Sequence, residues 1–207
     1  PEISEIVVIT SKHLITQIGN LANHCSKKTI QILEGGQTRA SSSYVGINSI
    51  SSSENPKVLI HDAARPFVSR DLITQCLDAL NQFDAVSPVM PVKETIFETV
   101  KDEVISIPDR TKYVRAQTPQ GFKYSSIFKA YKKCKERNQT DDSGLLETMG
   151  ASILHINGDE DLFKITHEKD MEKARFMTAT SSETRVGIGY DVHQLGDGTS
   201  LVLCGIK

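Results

Sequence analysis

Two side chains three positions apart, Asp62 and Arg65, stand in the string KVLIHDAARP at 57–66. Val58, Leu59, Ile60 and His61 read as a short run of strand formers. A carboxylate at the carboxyl end of a buried strand sits where open α/β sheets bind ligands. Asp62 can hold a hard cation and Arg65 a phosphate, while Ala63 and Ala64 leave room for a ligand beside the backbone. The plainer alternative is a turn cap followed by a surface charge.

Four further groups have chemistry within reach. Gly35, Gly36, Gln37, Thr38, Arg39, Ala40, Ser41 and Ser42 fall at a strand end and a helix start. Glycines there let a ring or phosphate approach backbone amides, and a helix N-terminus favours anions; a simple turn explains Gly-Gly equally well. Thr95, Arg110 and Thr118 offer hydroxyls and a guanidinium suited to phosphates and polyols, although threonines in strands are usually structural. Lys164, on a short strand near the end of the domain, can neutralise a triphosphate, whereas most lysines are simply solvated. Asp191 and His193 are two apart, so in a strand carboxylate and imidazole share one face and can share a metal ion. A third ligand for that metal is absent from the sequence.

The elements that must carry these groups follow in order. Ile6–Ile9 is a continuous apolar run, read as a buried parallel strand. Residues 12–24 read as a helix with Leu14, Ile15, Ile18, Leu21 and Ala22 on one side. Ile30–Leu33 is a second strand. Residues 38–50 form a helix that its serines weaken, so packing must hold it. Residues 51–56 are a loop, and Val58–His61 a third strand. Ser69 caps a helix over 70–83 with Leu72, Ile73, Cys76, Leu77 and Leu80 in one stripe. Strands and helices alternating at this spacing predict an α/β fold with a doubly wound, mostly parallel sheet.

The pattern changes after Ala85. Val86, Val89 and Val92 read as a strand. Residues 95–100 and 104–107 alternate around Lys101-Asp102-Glu103, a β-hairpin with a polar tip that projects as an arm. Residues 113–122 read as irregular, 124–137 as an amphipathic helix, and Thr140-Asp141-Asp142 as the cap of a helix running to Gly150. Ile153–Ile156 and Leu162–Thr166 read as strands and 168–177 as the closing helix. Residues 178–184 are small and polar, a linker. A new unit starts at 185–207.

The bulk numbers narrow the function classes. A chain of 207 residues can bury a sizeable core. Its 24 basic and 26 acidic residues give a net charge of −2, which points to no nucleic-acid partner. No apolar run reaches the length of a membrane span. Cys25, Cys76, Cys134 and Cys204 are scattered and form no CxxC pair, which fits the cytoplasm.

Residues 1 to about 177 resemble the 2-C-methyl-D-erythritol 4-phosphate cytidylyltransferases of the non-mevalonate isoprenoid pathway. The resemblance rests on LEGGQTRASS, VLIHDAARPFV, MPVKETI, RAQTPQGF, TDDSGLLETMG and LFKIT, in order and at family spacing. Residues 185–207, RVGIGYDVHQLGDGTSLVLCGIK, resemble the start of the 2-C-methyl-D-erythritol 2,4-cyclodiphosphate synthases. The resemblance implies a bifunctional protein with a Rossmann-like nucleotidyltransferase domain over 1–177, a linker over 178–184, and the first strands of a truncated α+β domain over 185–207.

It also implies roles. Gly36, Gln37 and Ser42 would contact the cytosine of CTP, with Ala63 at the nucleotide. Asp62 would help hold Mg²⁺ on the triphosphate, and Lys164 would sit near the phosphates. Arg65, Thr95, Arg110 and Thr118 would bind methylerythritol phosphate, with Asp62, Lys164 and Arg110 as the catalytic set. The arm around 92–117 would make a homodimer and bring groups into the neighbouring subunit's site. Asp191 and His193 would be two of three ligands to Zn²⁺ or another divalent metal in the cyclase portion.

Two departures are expected to matter. The family carries aspartate where Gln37 stands; glutamine still donates and accepts a hydrogen bond. The family's glycine-rich triphosphate loop, with its arginine and lysine, precedes the strand at Ile6. The sequence thus reads as the central portion of a longer protein, with little or no activity alone in either reaction. Two other readings stay open: a ribitol 5-phosphate cytidylyltransferase, against which the cyclase-like segment argues, and a non-catalytic dimerising or nucleotide-binding remnant.

Overall fold

The computed structural model describes residues 3–25, 28, 30–50, 55–134 and 141–179. The 185–207 unit, with Asp191 and His193, lies outside the described residues, as does most of the 178–184 linker.

Strand β1 (Ile6–Thr10) leads through a single 3₁₀ turn to helix α1 (Ile15–Cys25), then to β2 (Ile30–Glu34). β1 and β2 pair in parallel, Val8 opposite Ile32. Helix α2 (Arg39–Ser49) is opened by Thr38, whose hydroxyl accepts the Ser41 amide while the Ser41 hydroxyl accepts the Thr38 amide. The serines that weaken α2 in isolation therefore build its N-terminus.

The second sheet contains β3 (Lys57–Ile60), β4 (Ala85–Pro91), β7 (Val114–Ala116), β8 (Gln120–Lys123) and β9 (Ile153–Asn157). β9 runs parallel to β4 on one edge. On the other edge β7 and β8 run antiparallel to β4, and β8 also pairs antiparallel with β3. The sheet is thus mixed rather than mostly parallel. The cause is residues 113–122, expected to be irregular. They form two short strands broken at Gln117–Pro119, where the Thr118–Pro119 peptide is cis. Three- and four-residue strands interrupted by proline leave too little alternation to read from sequence.

Alternate strand residues face opposite ways, and helices cover both faces, as a doubly wound fold requires. One face buries Ala85, Phe122 and Ile60 against α2, α4 (Tyr124–Lys133) and α5 (Ser143–Glu147), through Ile47, Ile127, Tyr131, Leu145 and Leu146. The other buries Val86, with Leu59 and Leu154, against Cys76 and Leu80 of the α3 (Arg70–Ala79) segment. Ser69 accepts the Leu72 amide, the expected cap. Burial pushes the Cys76 thiol up to about 11, so it is a packing residue at neutral pH.

The expected hairpin is present as β5 (Glu98–Val100) and β6 (Glu103–Ser106), turning at Lys101-Asp102. It pairs with no strand of the main sheet among the described residues. Its apolar side chains stay open: Phe97, Val100, Val104, Ile105 and Ile107 are each at least half exposed.

Leu162–Thr166, expected to be a strand, is not one. Its apolar residues anchor a loop, with Leu162 buried and the Ile165 amide bonded to the Ala64 carbonyl at 2.8 Å. A short apolar run in a loop gives the same sequence signal as a strand. Helix α6 (Glu168–Thr178) closes the described chain.

Candidate active site

Asp62 follows directly on β3, and the sheet positions its surroundings. The Asp62 amide donates to Thr118 Oγ1 at 3.0 Å, which ties the end of β3 to the cis-proline break between β7 and β8. The same hydroxyl lies 3.1 Å from His61 Nδ1, and His61 Nε2 lies 2.8 Å from the Arg65 carbonyl. The 61–65 turn is thereby closed on itself, with the Arg65 amide bonded to the Asp62 carbonyl at 2.9 Å.

The Asp62 carboxylate meets two cations. Lys164 Nζ donates to Oδ2 at 2.8 Å, and Arg65 Nε lies 3.9 Å away. Burial works against the Asp62 charge. Lys164, hydrogen-bonded to it, together with Arg39 and Arg65 outweighs that and holds the carboxyl below the usual carboxylate range. Arg65 is anchored from behind by Nη1 donating to the Leu162 carbonyl at 2.7 Å. Its Nε is buried without a hydrogen-bond partner. The guanidinium is thus held at one end by a carbonyl and faces the Asp62 carboxylate at the other.

Beside this cluster opens a cavity of about 450 Å³ lined by Arg65, Lys164, Lys93, Arg115, Lys173 and Glu160, among others. A second cavity, of about 400 Å³, lies over the ends of β1 and β2, between Ser11, Lys12, Glu34, Gly35, Gly36 and Ser42. The Gly36 amide donates to Ser42 Oγ at 3.1 Å. A Cβ on Gly36 would stand 2.5 Å from Ser41 Cβ, and one on Gly35 2.7 Å from Ser42 Oγ, so both glycines are set by close approach to α2.

The sequence-predicted residues separate into three groups. Asp62, Arg65, Thr118 and Lys164 come together. Gly36 and Ser42 come together at the second cavity, with Gln37 exposed next to them. Thr95 and Arg110 stay apart from Asp62 at the base of the arm. Both are exposed; Arg110 Nη1 donates to the Lys93 carbonyl at 2.5 Å, and Thr95 lies outside any strand. Ala63 lies in the turn after Asp62.

Residues not singled out from the sequence hold the site together. Asp142 is buried at 1% exposure, accepts Arg39 Nη2 at 2.6 Å and takes the Tyr131 hydroxyl on its other oxygen. Burial opposes the Arg39 charge, but Asp142 carries its pKa above normal. Burial, then Asp142, pushes the Tyr131 phenol well up, so it remains a donor. Within the expected cap, Asp141 makes the bond, accepting the Gly144 amide at 2.9 Å, which frees the Asp142 side chain for Arg39 and Tyr131. The two adjacent aspartates of TDDSG carried the signal: a helix needs one cap. Gln117, flanking Thr118, ties β7 to the Leu162 loop by accepting the Asp159 amide and donating to the Asp159 carbonyl. Among the described residues no three His, Cys, Asp or Glu side chains cluster as a metal site.

Residues 1–180 match the family model for 2-C-methyl-D-erythritol 4-phosphate cytidylyltransferase, IspD. The chain belongs to this family. It is 38% identical over 179 residues to the bifunctional enzyme IspD/IspF of Nitrobacter winogradskyi, an alignment covering 84% of this chain and 45% of that protein. The corresponding enzyme of Paramagnetospirillum magneticum is 36% identical over 178 residues, covering 86% and 46%. The chain spans about half the length of the curated relatives it matches. Its fold is similar to the 4-diphosphocytidyl-2C-methyl-D-erythritol synthase of Anaerococcus prevotii, with a TM-score of 0.77 and 28% identity over 84% of this chain and 78% of that one. The bifunctional IspDF of Campylobacter jejuni superposes with a TM-score of 0.66 at 30% identity, covering 82% and 41%. The mixed sheet with helices on both faces is thus that of the IspD nucleotidyltransferases.

Proposed function

We propose that the protein in its full natural length, whose cytidylyltransferase domain this chain carries, transfers CMP from CTP to 2-C-methyl-D-erythritol 4-phosphate, giving 4-diphosphocytidyl-2-C-methyl-D-erythritol and pyrophosphate. Residues 1–177 are the cytidylyltransferase domain, 178–184 the linker and 185–207 the start of a cyclodiphosphate synthase domain. The observation that carries the reading is the junction of Asp62, Lys164, Arg65 and Thr118 beside a cation-lined cavity, in a chain whose first 180 residues match the IspD family.

An oxygen of the acceptor phosphate attacks the α-phosphorus of CTP, the bond to the β-phosphate oxygen breaks, and pyrophosphate departs. Both reactants are anions, so the protein's work is positioning and neutralising charge. Gly36, Gln37 and Ser42 seat the cytosine, and Ala63 leaves the nucleotide space to pass. Lys164 and Arg65 place positive charge where the two phosphates meet. Thr118 fixes the turn that aims Asp62. Mg²⁺, held by Asp62 and the triphosphate, would add charge neutralisation on the leaving group. In the cyclase portion over 185–207, Asp191 and His193 would serve Zn²⁺ or another divalent metal.

Thr95 and Arg110 sit at the foot of an arm whose apolar side chains are open. A homodimer through 92–117 would cover them and carry Thr95 and Arg110 to the partner's cavity. The balanced net charge gives no footing for nucleic acid, and no described helix is long and apolar enough to cross a membrane. We place the protein in the cytoplasm.

The test is pyrophosphate release by the protein in its full natural length, with CTP, Mg²⁺ and either methylerythritol phosphate or ribitol 5-phosphate. Preference for methylerythritol phosphate supports the reading. Preference for ribitol 5-phosphate assigns the rival acceptor, and release with neither leaves a nucleotide-binding remnant.

A further inference from the structure

Both backbone polar groups of Asp62 are taken up in one closed ring of hydrogen bonds, and His61 completes that ring. The Asp62 amide donates to Thr118 Oγ1, and the Asp62 carbonyl accepts the Arg65 amide. The His61 imidazole spans the gap between those two partners. Its Nδ1 lies 3.1 Å from Thr118 Oγ1, and its Nε2 lies 2.8 Å from the Arg65 carbonyl.

The partners fix the direction of every bond. A carbonyl oxygen only accepts, so Nε2 carries the ring hydrogen. In the neutral imidazole Nδ1 is then a bare acceptor, and the Thr118 hydroxyl donates to it. Donation therefore runs one way, from the Asp62 amide through Thr118 and His61 to the Arg65 carbonyl. Each bond in such a chain polarises the next in the same sense.

The place of the ring speaks for a role at the site rather than in the core. His61 is exposed and belongs to neither apolar cluster. Strand β3 is already held by its pairing with β8, up to Ile60 opposite Gln120. What the imidazole adds lies beyond the end of the strand, where it ties the 61–65 turn to the cis-proline break. That turn carries both charged groups, with Arg65 Nε 3.9 Å from Asp62 Oδ2.

We infer that His61, as its Nε2–H tautomer, is a positioning residue that sets Asp62 and Arg65 relative to each other through Thr118 and the Arg65 carbonyl. This rests on the cytidylyl-transfer reading for what that placement does, whereas the order of the hydrogen bonds does not depend on it.

The two ring nitrogens can be replaced one at a time. Asparagine puts an amide near the place of Nδ1 and can accept the Thr118 hydroxyl. Glutamine reaches the place of Nε2 and can donate to the Arg65 carbonyl. Phenylalanine keeps a ring and does neither. Pyrophosphate release by the full-length protein is measured for wild type, His61→Asn, His61→Gln and His61→Phe, each alone and with Thr118→Val. The expected result is a fall in kcat of roughly tenfold per bond lost. The two amide variants then lie between wild type and His61→Phe, and KM for CTP moves little. On Thr118→Val, His61→Gln should cost nothing further, because the bond it removes is already gone. Proton–nitrogen correlation of the wild-type imidazole should show Nε2 protonated and Nδ1 bare. Urea midpoints of all variants separate positioning from stability. Wild-type turnover in His61→Phe, the opposite tautomer, a full further loss from His61→Gln on Thr118→Val, or kcat that merely follows the urea midpoint overturns the inference alone. Absence of pyrophosphate release in the wild type overturns the reaction assignment and the inference with it.

Discussion

Lys164 reaches across 102 positions of sequence to place its ammonium 2.8 Å from Asp62 Oδ2. The contact joins the end of β3 to the loop before α6, and Arg65 clamps the same two segments by bonding the Leu162 carbonyl. The carboxylate is therefore charge-balanced before any ligand arrives. An anionic ligand can recruit Lys164 only by sharing it with Asp62.

Asp62→Asn should keep the fold and lose cytidylyl transfer by orders of magnitude. Circular dichroism checks the fold, and pyrophosphate release checks the rate. Unchanged turnover would reduce Asp62 to a turn residue.

The same pair predicts a pH dependence of stability. The Asp62 carboxyl is depressed in the folded chain. Its stabilising contribution is present above the unfolded carboxylate value, about 3.9, and is lost as pH falls through the lower folded value. Urea unfolding of wild type and Asp62→Asn should therefore differ at pH 6 and converge toward pH 3. A constant difference would place the effect elsewhere.

Arg39→Ala leaves the buried Asp142 carboxylate with the Tyr131 hydroxyl as its remaining side-chain partner among the described residues. The expected loss is about 1–3 kcal/mol of stability, because Asp142 is buried while Arg39 is 39% exposed and solvent partly screens the pair. Denaturant titration measures it. Arg39 also lies within electrostatic reach of Asp62, so Arg39→Lys should recover stability before it recovers transfer.

Gly36→Ala drives a methyl group into Ser41, which caps α2 through Thr38. Loss of that cap costs about 1 kcal/mol, and the wall of the cavity over the ends of β1 and β2 shifts with it. CTP affinity should fall while acceptor affinity stays, as separate titrations would read. Equal loss for both would mean general unfolding.

Much of this was legible in the sequence because the signals were local. Ser69 and the stripe ending at Leu80 gave α3, and the apolar runs at Ile6 and Ile30 gave a parallel pair. Asp62, Arg65, Thr118 and Lys164 were singled out by type and motif, and they meet. What stayed hidden needed long-range pairing. Residues 113–122 became strands because β4 supplied a reversed partner, and no periodicity in ten residues announces that. Leu162 looked like a strand residue because burial in a loop and burial in a sheet leave the same apolar letter. Arg39 and Asp142 stood inside recognised motifs, but their partnership across 103 positions is visible only in three dimensions. Arg110 reaches the cavity wall by bonding the Lys93 carbonyl, a contact across 17 positions that the sequence does not announce.

The arm around 92–117 gives a further prediction. Val104→Asp with Ile107→Asp should move the protein from dimer to monomer in sedimentation velocity, because two exposed apolar side chains become charged. If Thr95 and Arg110 act in the partner's site, transfer falls with dissociation. A monomeric wild type would remove the arm's proposed role.

The central claim is the reaction itself, and one assay addresses it most directly. The full-length protein is incubated with CTP, Mg²⁺ and 2-C-methyl-D-erythritol 4-phosphate, and pyrophosphate is followed continuously. Release that requires both substrates, prefers CTP over ATP, and disappears in Asp62→Asn is the predicted result. Equal release in wild type and Asp62→Asn, or none with methylerythritol phosphate, would contradict the account.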